Sequence, residues 1–155
     1  MMQVDFYVLK EASDAARLRL ACRLIEQSFL AGQRVLVIGQ DEAELATFDA
    51  LLWTFGNRAF VPHEMLGADP AGSEAPVQLS ADGTLPAAAS GAFDVVVNLR
   101  GDAVPDGTGA GRVIEIIDGD DARRQQGRER FRAYRERGLA PSHHNLDSES
   151  QIGNG

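Results

Sequence analysis

The sequence predicts an α/β fold, a single domain with a mostly parallel sheet flanked by helices. Three observations carry this. Short apolar runs rich in strand formers alternate with segments of helical period, the order that lays strands side by side through crossover helices. Two of those runs, Arg34 to Ile38 (RVLVI) and Phe93 to Leu99 (FDVVVNL), are nearly continuous in apolar residues, as strands covered on both faces must be. The chain has 155 residues, 44% of them hydrophobic, which is the size of one ordinary domain with enough apolar material for a core.

Val4 to Leu9 (VDFYVL) is short and apolar, has no helical period, and reads as the first strand. Ser13 is placed to cap the helix that follows, in which Leu18, Cys22, Ile25 and Phe29 share one face. Gly32 stands where a helix terminator belongs. RVLVI is the second strand. Asp41 and Glu44 have the spacing of a capping box, with Asp in place of Ser or Thr. Leu45, Phe48, Leu52 and Phe55 then mark one face of a second helix, ended by Gly56-Asn57.

The middle is less regular. Phe60-Val61-Pro62-His63 is apolar, but Pro62 keeps it from being an ordinary inner strand. Residues 67–75 read as a loop, Pro76 to Leu79 as a short strand, and residues 81–91 as turn-forming. FDVVVNL is the strongest strand signal, Gly101 to Gly111 is a loop, and Val113 to Ile117 (VIEII) is expected to be the last strand. The acidic turn Asp118 to Asp121 leads into an arginine-rich helix that stops at Gly138. Residues 1–138 are thus the expected domain. Residues 139–155 are polar, carry no periodicity, and are expected to be a disordered tail.

Composition narrows the function. No apolar run approaches the roughly 20 residues that span a bilayer, and the N-terminus lacks the basic start and apolar stretch of a secretory signal. The expected compartment is the cytoplasm, with no membrane partner. The single cysteine, Cys22, excludes an internal disulfide framework and a multi-cysteine zinc site. The net charge is −8, from 15 basic and 23 acidic residues, and the phosphate backbone of DNA would repel such a chain. Yet seven arginines fall between Arg123 and Arg137, opposed there only by Glu129 and Glu136, a local charge of 7 − 2 = +5. That island points to a defined anionic partner.

Catalytic and cofactor motifs are weak. Gly107-Thr108-Gly109-Ala110-Gly111 resembles a dinucleotide fingerprint, but its glycines lead into a strand, whereas the fingerprint needs a helix N-terminus at the phosphate. The carboxylates of Asp118, Asp120 and Asp121 read as helix capping, because a calcium loop would need a distant Glu. His143 and His144 lie in the tail segment and His63 stands alone, so no metal set converges. Cys22 falls on an apolar helix face with no neighbour to activate it. No catalytic residue, metal site or cofactor is expected.

The arginine helix is more specific. Arg124, Arg128, Arg132 and Arg135 stack along one stripe, with Phe131 and Tyr134 beside it. Arginine forks hold carboxylates, and an aromatic neighbour gives an apolar side chain a place to lodge. The pattern suits an acidic peptide that ends in a hydrophobe with a free carboxylate. It also fits a solvated helix face whose aromatics pack on the sheet.

Taken together the chain resembles the chi subunit of bacterial DNA polymerase III holoenzyme. The residues that carry the resemblance are Asp5-Phe6-Tyr7-Val8-Leu9, Gly32-Gln33-Arg34-Val35-Leu36-Val37, Leu52-Trp53, Phe60-Val61-Pro62-His63, Ala75-Pro76-Val77 and Asp94-Val95-Val96-Val97-Asn98-Leu99. The most specific is Arg128-Glu129-Arg130-Phe131-Arg132-Ala133-Tyr134-Arg135. The resemblance implies a Rossmann-like domain without a nucleotide site and a non-catalytic subunit of the holoenzyme. It implies that the chain links the clamp loader to single-stranded-DNA-binding protein by gripping that protein's acidic C-terminal tail. The tail site would use Ile117, Arg124, Arg128, Phe131, Arg132 and Arg135. The psi subunit would dock at Trp53 and Phe60, two residues that ordinary core packing would also explain. Nucleic acid would be touched only indirectly. Phe131 stands where the family often has tyrosine. A competing class is a small nucleotide-binding enzyme on a Rossmann-like fold. It would need a glycine loop after the first or second strand, where Lys10-Glu11-Ala12 and Gly39-Gln40-Asp41 offer one glycine between them.

Overall fold

The computed structural model describes residues 2–54, 61–65, 75–81, 92–105 and 108–148. Its elements run β1 (Gln3–Leu9), α1 (Asp14–Leu30), β2 (Val35–Ile38), α2 (Glu42–Thr54), β3 (His63–Met65), β4 (Val77–Ser80), β5 (Val95–Asn98), β6 (Arg112–Ile117), α3 (Asp121–Glu136) and β7 (Ser142–Leu146). The strands form one seven-stranded sheet in the order β3-β4-β2-β5-β6-β1-β7. Every pairing is parallel. The expected α/β class is the observed one, and the continuous apolar runs β2 and β5 are inner strands, buried along their whole length.

Alternation along the strands builds two cores. Tyr7, Leu9, Val35, Val37, Ile114 and Ile116 pack on one face with α1 and α2. Val4, Phe6, Leu36, Ile38, Val113 and Ile117 pack on the other, with Tyr134 and Phe131 of α3. The helix starts follow the capping chemistry of the sequence. Ser13 Oγ accepts from the Ala16 amide at 3.1 Å, and Asp41 Oδ1 accepts from the Glu44 amide at 2.8 Å. Glu44 closes the box one residue early, accepting from the Gln40 amide at 3.3 Å. The helix α3 ends with Gly138 at φ +85°, the left-handed conformation that favours glycine.

Tight contacts to neighbouring loops fix α3 near each end. The Gly119 amide donates to the Glu11 carbonyl at 2.8 Å, and a Cβ there would lie 2.5 Å from the Lys10 carbonyl oxygen. Only glycine lets the turn before α3 sit against the turn after β1. At the other end, the Val104 amide donates to the Tyr134 hydroxyl at 2.9 Å, and Arg137 Nη1 donates to the Val104 carbonyl at 2.6 Å. Residues 101–105 and 108–111 are loop, as read from the sequence.

The C-terminal segment corrects the sequence reading. Residues 142–146, expected within a disordered tail, form β7 and pair with β1 from Asp5↔Ser142 to Leu9↔Leu146. β6 is therefore not the last strand. The reason it escaped notice is physical. Nearly all of β7 is exposed, so it has no apolar alternation to read, and main-chain bonding to β1 holds it. At the opposite edge β3 begins at His63, immediately after Pro62. Among the described residues no helix is long and apolar enough to cross a membrane.

Candidate functional site

The seven arginines of the last helical segment divide into two groups by what they touch. Arg123 forms a two-pronged bond to Asp118, with Nε and Nη2 2.6 and 2.7 Å from the carboxylate oxygens. Burial pushes the Asp118 carboxyl up, but the Arg123 guanidinium more than offsets this and holds it below the ordinary 3.8. Arg130 is only 6% exposed, and its Nε donates to Glu115 Oε1 at 3.0 Å while Nη1 donates to the Gly101 carbonyl at 3.1 Å. Glu115 is fully buried and also accepts from Asn98 at 2.9 Å and from Tyr134 at 2.5 Å. Burial raises its carboxyl above the ordinary value, and the charge of Arg130 is the strongest influence pulling it back. Arg137 serves the Val104 carbonyl and lies over the Tyr134 ring. These three arginines hold the fold together.

The other four point elsewhere. Arg124, Arg128, Arg132 and Arg135 have no carboxylate within ion-pair distance among the described residues. Arg128 Nη1 donates to the amide oxygen of Gln125 at 3.2 Å. Among the described residues the buried Nε of Arg124 has no hydrogen-bond partner. A buried unpartnered donor is costly unless a ligand supplies the acceptor.

Arg124 and Arg128 line a groove of about 380 Å³ between α3 and the sheet, together with Ile117, Phe131, Phe6 and His143. A second hollow of about 460 Å³ shares Arg128 and Phe131 and continues past Arg132 and Arg135. The structure thus brings all six residues of the expected tail site onto one continuous surface. Gly127 explains how the groove forms. A Cβ there would clash with Cδ1, the free end of the Ile117 side chain, so glycine lets that side chain lie flush against the helix. Phe131 is held between two rings, Phe6 at 5.2 Å and His143 at 4.9 Å between centroids. Tyr134, read from the sequence as flanking the arginine stripe, instead turns inward and is fully buried.

Trp53 lies far along the chain from this groove and is 49% exposed on α2. Its ring packs on His63 at 4.2 Å, and His63 Nδ1 contacts the Val61 carbonyl at 2.8 Å while Nε2 lies 3.0 Å from Asp49. Core packing therefore does not account for Trp53. Phe60, its expected companion, lies outside the described residues. Burial pushes the Cys22 thiol up to about 12, which leaves it without nucleophilic thiolate. Among the described residues no three metal-ligating side chains cluster.

Sequence reasoning missed two features. One is the Glu115–Arg130–Tyr134 network, which the acid inside VIEII could have flagged, since a charge in a buried strand needs a partner. The other is β7, which carries His143 and Asn145 to the groove and had no such signal.

Comparison with known proteins agrees with the architecture. Residues 1–142 match the family model described as DNA polymerase III chi subunit, HolC. The chain is 37% identical over 146 residues to DNA polymerase III subunit chi of Pseudomonas aeruginosa, covering 94% of this chain and 98% of that one. It is 29% identical over 143 residues to the Escherichia coli K12 protein of the same name, covering 90% and 95%. Among solved structures it is similar to the C-terminal domain of S. cerevisiae Dbp5 bound to Gle1 and IP6, with TM-score 0.65, 10% identity and coverage of 98% and 94%. That last likeness is one of fold alone.

Proposed function

The chain belongs to the DNA polymerase III chi subunit family, and from that premise we propose that it is an adaptor linking the clamp loader to single-stranded-DNA-binding protein. Its role in DNA replication as an accessory subunit follows from the family. The adaptor chemistry rests on one observation above all. Four arginines without carboxylate partners among the described residues border a groove whose walls, Ile117 and Phe131, are apolar. An acidic C-terminal tail supplies both complements. Its last side chain enters between Ile117 and Phe131, its terminal carboxylate meets the fork of Arg128, and its upstream acids meet Arg124, Arg132 and Arg135.

The subunit has no catalytic step of its own in this reading, and the net charge of −8 leaves nucleic acid as an indirect partner. The psi subunit docks at Trp53 and Phe60. The half-exposed Trp53 supports this, because aromatic anchors dominate such interfaces. Trp53→Ala, in a protein that still folds, should reduce capture of psi. Unchanged capture refutes the assignment.

The test of the main reading is calorimetric titration with a peptide copying the acidic tail. Binding should weaken with added salt, as exposed charges are screened, and should fall with Arg128→Ala. Binding indifferent to both refutes it.

A further inference from the structure

We propose that β7 forms the second wall of the tail groove and that His143 contacts the bound tail directly. This rests on the reading of the groove as a tail site and adds a residue that lies beyond the arginine helix. Pairing with β1 sets His143 beside Phe6 and Asn145 beside Val8. Alternation then sends both side chains to the α3 face, where they line the same groove as Arg124 and Arg128. The His143 ring lies nearly parallel to Phe131, at 21° and 4.9 Å, so it both orients the aromatic wall and faces the cavity. Its neighbour His144 goes the other way. That ring stacks on Tyr7 at 4.7 Å, and its Nε2 lies 3.3 Å from Asp5.

The chemistry matches an acidic peptide. Among the described residues the His143 and Asn145 side chains make no hydrogen bond of their own. Each carries an N–H donor, and the carboxylates of an acidic tail are acceptor-only. The apolar face of the imidazole meanwhile extends the Phe131 wall for the terminal side chain. The tail therefore lies between α3 and β7, gripped from both sides.

The two histidines give an internal control. An aspartate-rich peptide ending in phenylalanine, with a free C-terminal carboxylate, is titrated into the full chain. The ring resonances of His143 and His144 are followed by NMR, and affinity is measured calorimetrically. His143 should shift on binding while His144 stays fixed. His143→Ala should weaken binding about five-fold, the scale of one lost aromatic contact, and His143→Phe should recover part of that loss. His144→Ala should bind as the unaltered chain does. Wild-type affinity in His143→Ala, alongside weakened binding in Arg128→Ala, overturns the proposal and leaves the groove reading intact. Binding that depends on neither residue overturns both. Should His143→Ala fail to fold, an unmoved His143 resonance in the saturated native chain overturns the proposal just as well.

Discussion

Arg130→Ala tests the division of the arginines most directly, because Arg130 sits in the same helix as the groove residues yet serves the fold. Its guanidinium and the Glu115 carboxylate are both buried, 3.0 Å apart. Breaking a buried pair by removing one partner costs about 3–5 kcal/mol, mostly from the charge left behind. Asn98 and Tyr134 still donate to Glu115 in the variant, so the lower end applies. A loss of about 3 kcal/mol corresponds to roughly 6–12 °C in Tm for a chain of this size. The assay is urea unfolding across pH. Without Arg130 the Glu115 carboxyl rises further above its ordinary 4.5, so the folded state holds its proton more tightly than the unfolded one. A raised carboxyl gives stability that is full below the unfolded value and is lost as pH rises through the folded value. The deficit of the variant should therefore be largest at neutral pH and shrink toward acid. Replacing both partners, as Glu115→Leu with Arg130→Met, should recover much of the loss. A deficit in Arg130→Ala below about 1 kcal/mol at neutral pH refutes the reasoning, since that is the scale of an ordinary surface change.

Three more outcomes follow from the same geometry. Arg128→Ala should cost about 2 kcal/mol of tail-peptide affinity by calorimetry, and the exposed Arg135→Ala less than about 1 kcal/mol, with both proteins as stable as wild type. Gly127→Ala should leave stability in urea within about 1 kcal/mol of wild type, because turning the Ile117 side-chain end aside offsets the roughly 1 kcal/mol that alanine gains in a helix, while the displaced methyl narrows the groove and weakens tail binding. Asp118, held below its ordinary value by Arg123, contributes stability above that value and loses it as pH falls below it through the lower folded value. Acidification from neutral toward about pH 3 should thus lower the urea midpoint, and Asp118→Asn should remove part of that slope.

Legibility followed the kind of signal each element carries. Strands buried on both faces announce themselves, and β2 and β5 stood out as apolar runs. Helix starts were readable because Ser13, Asp41 and Asp120 cap by local chemistry, within a few residues of where they stand. The arginine stripe was readable because helical spacing puts Arg124, Arg128, Arg132 and Arg135 on one side of any helix. Spacing also set Arg130 off that stripe, about half a turn from Arg128, but did not tell which side of the helix faces the sheet. Both sit among charged neighbours in sequence, and only the position of Glu115 beneath the helix turns one inward.

The remaining difference is between local and long-range forces. Capping, periodicity and chain composition act over one to four residues, so the order of amino acids already dictated an α/β chain with a cationic last helix. The groove is made by residues far apart. Ile117 rises because Gly127 leaves it room, Phe131 is fixed by Phe6 from the first strand, and His143 arrives from a strand held by backbone bonds to β1. An exposed edge strand carries almost no side-chain pattern, since its stabilisation comes from peptide groups that every residue has. Only the folded sheet could bring that strand, and the second wall it carries, to the arginines.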